Sequence, residues 1–368
     1  MIRSTPPFRA DHVGSLLRPA TLKEARARYE RHEISAADLT AAEDTAIQEI
    51  IARQESAGLR SITDGEFRRA MWHFDFLERL DGAESFHADH GIAFKGGLET
   101  PAKGLRVVGK LGFSTHPMLT HFKFLKDHTR ATPKMTIPSP SVLHFRGGRK
   151  AVSPAVYPDM ESFYRDLGLA YKGAVQAFAN AGCRYLQLDE VNLAYLCDPE
   201  QRQMLSERGD DPERLPGIYA EMINTAISGR PADMVISMHL CRGNFRSSWI
   251  AQGGYEPVAE MLFNQIGVDA YFMEFDTERA GSFEALRFVP KGKTVVLGLV
   301  TSKTGALESV EELQRRIDDA ARYVDLQQIC LSPQCGFAST EEGNSLSEAE
   351  QWAKLARIVE VARKIWGE

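Results

Sequence analysis

His239 and Cys241 stand two residues apart at the end of the apolar run MVISMHLC. On a β-strand, residues i and i+2 project from the same face, so this spacing would aim an imidazole nitrogen and a thiolate at one point. Cys335 closes a second apolar run, ICLSPQC, and Glu274 closes a third, AYFME. One nitrogen, two sulfurs and one oxygen make a tetrahedral donor set suited to zinc. Thiolates disfavour magnesium and calcium, and no further cysteine joins the group to hold an iron–sulfur cluster. A His-X-Cys pair alone carries little weight, because both residues are common in cores. The third cysteine and the carboxylate at other strand ends carry the reading. Structural zinc sites use closely spaced knuckles such as C-x2-C, so ligands drawn from three strands point to catalysis. The chemistry this suggests is thiol activation. A free thiol has a pKa of about 8.5, and a metal converts it to thiolate near neutral pH.

Other polar residues also close apolar runs: Asp64 with Glu66, and Asp189 with Glu190. Pairing with Arg68, Arg69, Arg242 or Arg279 competes with a functional role for such carboxylates, and for Glu190 and Asp276 the two readings weigh equally. His12, His73 and His144 read as local hydrogen-bonding residues, and Trp72, Phe74 and Phe76 as wall or core. The five cysteines are an odd number, which argues against a disulfide framework. Cys183 and Cys330 lie beside apolar strands and read as packing residues.

The elements that must position these groups alternate along the chain. Strands are expected at Phe8–Leu16, Ser61–Glu66, Lys134–Pro140, Arg184–Glu190, Met234–Cys241, Ala270–Asp276, Thr294–Val300 and Gln328–Cys335. Several are almost continuously apolar, as parallel strands covered on both faces are. Helical stripes lie between them. Ser35 is placed to cap a helix carrying Leu39, Ala42, Ala46 and Ile50, and Ser309 with Glu312 and Ser347 with Glu350 have capping-box spacing. Eight strands in this rhythm, with no glycine-rich dinucleotide or phosphate loop after the first, predict an α/β fold with a single (β/α)8 barrel over residues 1–368. In a barrel the C-terminal strand ends form one rim, so residues remote in sequence converge there. Residues 82–117 break the rhythm. They are rich in glycine and are expected to form a β-hairpin-like insertion, over the barrel mouth or at an oligomer interface.

Composition narrows the setting. The 368 residues are 43% hydrophobic and 26% charged, ordinary for a globular protein, and the net charge of −6 gives no support for nucleic-acid binding. No apolar run approaches the roughly 18 residues of a membrane span, and the N-terminus lacks a secretory pattern, so a cytoplasmic location is expected.

Motifs in order along nearly the whole chain resemble the catalytic half of cobalamin-independent methionine synthase, in its short single-barrel form: HVGSLLRP (12–19), TDGEFRR (63–69), LQLDEVN (186–192), MHLCRGN (238–244), YFMEFD (271–276) and LSPQCGF (331–337). The last three match the family's zinc ligands, at His239, Cys241, Glu274 and Cys335. The resemblance implies that the Gly14–Ser15 turn holds an amino-acid carboxylate and that Glu66 and Asp189 face its ammonium group. The chain departs from the family in two places. PSPSVLHFRGG, with His144 and Phe145, lacks the folate-contacting tryptophan, and GLVTSK lacks the aspartate-isoleucine-histidine-serine run after strand seven.

The function this implies is zinc-dependent methyl transfer to the thiol of homocysteine, giving methionine. The donor is left open among methyl-folate, methyl-corrinoid and other small methyl compounds, and a homo-oligomer or a donor-delivering protein is left open as well. Two alternatives stand beside it. Epoxyalkane:coenzyme M transferases open an epoxide with a zinc-activated thiol, but Glu66 and Asp189 would repel their sulfonate. A non-catalytic zinc-binding protein would need no polar cleft.

Overall fold

The computed structural model describes residues 3–367. Six parallel strands stand side by side in chain order: Met135–Pro138, Tyr185–Glu190, Val235–Leu240, Ala270–Glu274, Thr294–Val300 and Ile329–Pro333. Every residue in these strands is buried except the half-buried Val235, which agrees with their nearly unbroken apolar sequence.

Two further segments close the ring. Ser61–Ile62 pairs in parallel with Thr132–Pro133, and the Lys134 N–H extends that pairing to Ile62 O at 2.8 Å. Ala10 bridges Leu331 in parallel, with Asp11 N donating to Leu331 O at 3.0 Å. The result is a (β/α)8 barrel of eight strand positions.

The expected strands Phe8–Leu16 and Ser61–Glu66 are much shorter as ladders than the sequence reading gives. Buried side chains satisfy their main-chain groups instead. Gln54 donates to Thr63 O (2.8 Å) and accepts from Thr63 N (3.0 Å), while Gln187 donates to Val13 O (2.7 Å). Lys134 Nζ reaches His12 O at 2.5 Å, and the Thr63 hydroxyl reaches Gly14 O at 2.6 Å. Polar residues thus stitch the seam that neighbouring backbone closes elsewhere.

The helices begin where their caps predict. Ser35 and Asp38 form a full capping box on Ala36–Ser56, as do Ser347 and Glu350 on Glu348–Trp366, whereas Ser309 caps Val310–Ala320 through its own side chain. Leu39 is only half-buried, and the helix seats Ile47, Ile50 and Ile51 inward. Asp81–His87 pairs antiparallel with Lys103–Gly112, and a smaller hairpin, Ala93–Phe94 with Leu98–Glu99, rises from their end. Its tip lies over the barrel mouth: Lys95 N donates to Trp249 O at 2.8 Å, and Phe94 packs 5.4 Å from Phe245. The insertion is therefore a cover for the mouth. Among the described residues, no helix is long and apolar enough to cross a membrane.

Candidate metal centre and active site

The strand ends bring His239, Cys241 and Cys335 together, with one donor atom from each lying within 4.8 Å of the others. His239 is inside its strand and Cys241 one residue past the end of it, where Cys241 N still pairs with Glu190 O at 3.2 Å. That continued pairing keeps the i, i+2 alignment. The two sulfurs lie 3.3 Å apart, far beyond the roughly 2.05 Å of a disulfide. All three residues are buried, yet neither ring nitrogen of His239 has a hydrogen-bond partner. A buried imidazole facing two sulfurs is a donor set that could hold a metal such as zinc.

Glu274 stands outside that mutual distance. Its Oε1 is 3.8 Å from Cys241 Sγ and 3.4 Å from Gln334 Nε2, while Oε2 faces Arg242 at 3.6 Å and Arg279 at 3.8 Å. It is fully buried, and its Oε2 has no hydrogen-bond partner. A carboxylate so placed can close the set or answer the arginines behind it.

Electrostatics within the cluster are lopsided. The hydrogen bond shared with Cys241, followed by the nearby His239, holds the Cys335 thiol well below its ordinary range. Cys241 is pushed up by that same hydrogen bond and by burial.

A cavity of about 600 Å³, its open mouth included, joins this cluster to Ser15, Glu66 and Asp189. Burial, reinforced by the charge of Glu66, raises the Asp189 carboxyl to about 7. Burial likewise raises Glu66, although Arg69 and Arg18 oppose the shift. Glu66 Oε1 accepts from the Thr136 hydroxyl at 2.8 Å, but Oε2 is buried without a partner. Two buried carboxyls with spare acceptor capacity make a place for a cation. The Glu66 backbone sits at φ 60°, an uncommon conformation for a side-chain-bearing residue, and Arg18 Nη2 holds its carbonyl at 2.9 Å.

Gly14 lies behind the wall at φ 143°, and a Cβ there would stand 2.7 Å from Thr136 Cγ2 and 3.5 Å from Glu66 Oε1. Gly336 makes room in the same way, since its Cβ would fall 1.9 Å from Ser15 Oγ. Ser15 can therefore sit beside the loop that carries Cys335.

Other sequence candidates fall elsewhere. Glu190 pairs with no arginine: it accepts from Ser141 Oγ (2.5 Å) and from the N–H groups of Asn192 (2.7 Å) and Leu193 (3.0 Å), fixing the turn after its strand. Asp276 faces Arg279 at 3.5 Å. His12 contacts Ser61 O, and His144 lies between Tyr219 and Tyr164, as local hydrogen-bonding residues do. His73 departs from that reading, because it lines the cavity with both ring nitrogens unpartnered. Trp72 is also cavity wall, while Phe74 and Phe76 are core.

Sequence reasoning missed Arg146, Tyr195 and Asn244, which line the cavity, and Lys303 behind it. Lys303 is buried, with Nζ 3.4–3.5 Å from Gly243 O, Asn244 Oδ1 and Ser248 O, bracing the loop that follows Cys241. The available signal was position for two of them: Asn244 and Lys303 lie just beyond the strand ends at Leu240 and Val300, whereas Arg146 follows the short helix Ser141–Phe145.

The family model described as the catalytic domain of cobalamin-independent synthase matches residues 131–364. The chain belongs to this family. Among its relatives, the uncharacterized protein YxjH of Bacillus subtilis is 50% identical over 98% of this chain and 95% of its own length. A methionine synthase of Pyrococcus abyssi is 24% identical over 94% of this chain and 91% of its own length. A crystal structure from Listeria monocytogenes, provisionally assigned as a vitamin-B12-independent methionine synthase, is 43% identical, with full coverage of both chains and a TM-score of 0.80. Membership supports methyltransferase chemistry of the methionine synthase type at the level of the family.

Proposed function

We propose that this protein is a zinc-dependent methyltransferase that transfers a methyl group to the thiol of homocysteine, forming methionine. The observation that carries the reading is the meeting of His239, Cys241 and Cys335 with Glu66, Asp189 and Ser15 on one cavity. His239, Cys241 and Cys335 would hold the zinc, with Glu274 as the fourth donor. Bound zinc lowers the pKa of a thiol, so that it is held as thiolate near neutral pH.

The remaining work falls to the chain's own groups. Glu66 and Asp189 would take the substrate ammonium, whose charge offsets the repulsion between them. The Gly14–Ser15 turn would hold the carboxylate, which fixes the thiol-bearing end towards the sulfurs. The hairpin tip at Phe94 covers the mouth and keeps water from the methyl donor. The substrate sulfur supplies the electron pair of the new carbon–sulfur bond, the donor's leaving atom keeps the pair of the bond it loses, and the thiol proton passes through solvent to that leaving atom.

The carboxylate pair also separates this reading from its rivals. An ammonium-bearing thiol fits it, whereas the sulfonate of coenzyme M would be repelled. Calorimetric titration of the zinc-loaded protein tests the choice with homocysteine, 4-mercaptobutanoate and coenzyme M. Homocysteine should bind at least tenfold more tightly than either competitor. Preference for coenzyme M would replace the acceptor, and no binding of any thiol would leave only a zinc-binding protein.

A further inference from the structure

Gln187 is fully buried on the strand Tyr185–Glu190, two residues before the cavity-lining Asp189. Residues i and i+2 share a face of a strand, so its amide lies next to that carboxylate. Gln187 Nε2 donates to Asp189 Oδ1 at 2.7 Å and to Val13 O, also at 2.7 Å. The two hydrogens of one amide nitrogen thus join Asp189 to the backbone just before Gly14. Both acceptors are oxygens, so turning the amide over would set Oε1 against them. Oε1 itself is buried without a hydrogen-bond partner. An unmet buried acceptor costs stability, and an apolar residue would avoid that cost. What the nitrogen holds is therefore the reason for an amide at this position.

The Gly14–Ser15 turn is tied to the other parts of the site through backbone. Leu16 N donates to Gly65 O at 3.1 Å, next to Glu66, and Phe337 N donates to Ser15 O at 3.0 Å, two residues after Cys335. The turn is thus placed against Glu66 by Leu16, against the sulfurs by Phe337, and against Asp189 by Gln187. The last tie runs through a side chain, so a substitution removes it without altering the backbone.

We propose that Gln187 is a positioning residue that fixes the carboxylate-binding turn against the ammonium-binding aspartate, and so makes the site select one hand of an α-amino acid. This rests on the reading above, in which the turn and Asp189 hold the two charged groups of homocysteine. Those groups sit on one carbon, and its thiol-bearing arm is a third point held towards the sulfurs. Three fixed points admit one enantiomer, because its mirror image meets only two of them at a time. A turn free to shift against Asp189 would accept both.

The test is calorimetric titration of the full-length, zinc-loaded protein with L-homocysteine, D-homocysteine and 4-mercaptobutanoate, which lacks the ammonium group. The native protein should bind the L form roughly tenfold or more tightly than the D form. Gln187→Met keeps the length of the side chain and removes both N–H groups. It should weaken L-homocysteine roughly tenfold, while D-homocysteine and 4-mercaptobutanoate change by less than about threefold. Gln187→Asn, one methylene too short to reach both acceptors, should show the same pattern and serves if the first variant does not fold. A merely structural role would weaken all three ligands alike. An unchanged L-to-D ratio in the variants would therefore overturn the proposal, as would equal binding of the two enantiomers by the native protein, which needs no variant. Failure of the native protein to bind homocysteine at all would instead sink the methyl-transfer reading, so the two failures are distinct.

Discussion

Glu66 and Asp189 show why a single residue's setting decides its chemistry. Both are buried, and each carboxyl is raised above its ordinary range, so without substrate they resist being charged together. An ammonium group between them relieves that cost. Asp189→Asn or Glu66→Gln should weaken homocysteine binding roughly ten- to a hundredfold, the loss of a charge-assisted hydrogen bond of about 1.5–3 kcal/mol. Binding of 4-mercaptobutanoate, which lacks the ammonium, should hardly change. Stability without substrate depends on pH in a stated direction. The native Asp189 pKa of about 7 exceeds its ordinary 3.8, so the folded state holds the proton more tightly. The resulting stability is complete below about pH 4 and is lost as pH rises through about 7. Urea midpoints of the substrate-free protein should therefore fall between pH 5.5 and 8, and Asp189→Asn should flatten the decline. The cluster of His239, Cys241 and Cys335 was legible in sequence because soft donors at the ends of apolar strands are rare. Arg146 and Lys303 were not, because a cation in a loop has no periodicity to mark it.

Among the elements, the six strands from Met135 to Pro333 were readable from their unbroken apolar runs, within one or two residues at each end. The first two strand positions were not, since Gln54, Lys134 and Gln187 replace the missing ladder. Gln54 is fully buried and serves both main-chain groups of Thr63. Gln54→Leu keeps the bulk and orphans both groups, at roughly 1–3 kcal/mol each. The expected loss is about 2–5 kcal/mol, read as a lower urea midpoint with an unchanged slope. The insertion was recognisable as a hairpin from its glycines. Its place over the mouth depends on contacts between Phe94 and Phe245 and between Lys95 and Trp249, which join segments remote in sequence.

At the scale of the whole molecule, the ring of strands gathers the side chains of His239, Cys241 and Cys335 at one rim, beside the carboxylates of Glu66 and Asp189. The larger of two hydrophobic clusters runs from Leu16 to Val361 and touches nearly every element, while the smaller joins Val13, Tyr185, Phe272, Val296 and Cys330 from five strand positions. We propose that residues 1–368 form a single domain, and urea unfolding should then follow one transition by both fluorescence and circular dichroism; two separated transitions would contradict it. The strand order was legible because βα alternation admits few arrangements, while the cavity wall at Arg146 and Asn244 was not, because it is assembled from loops. The central claim is that this rim presents a zinc site to a thiol. Zinc-edge X-ray absorption on the purified protein, with and without homocysteine, tests it directly. Two sulfur ligands without homocysteine and three with it are the predicted result. Absence of stoichiometric zinc, or a sulfur count that no thiol alters, would contradict the account.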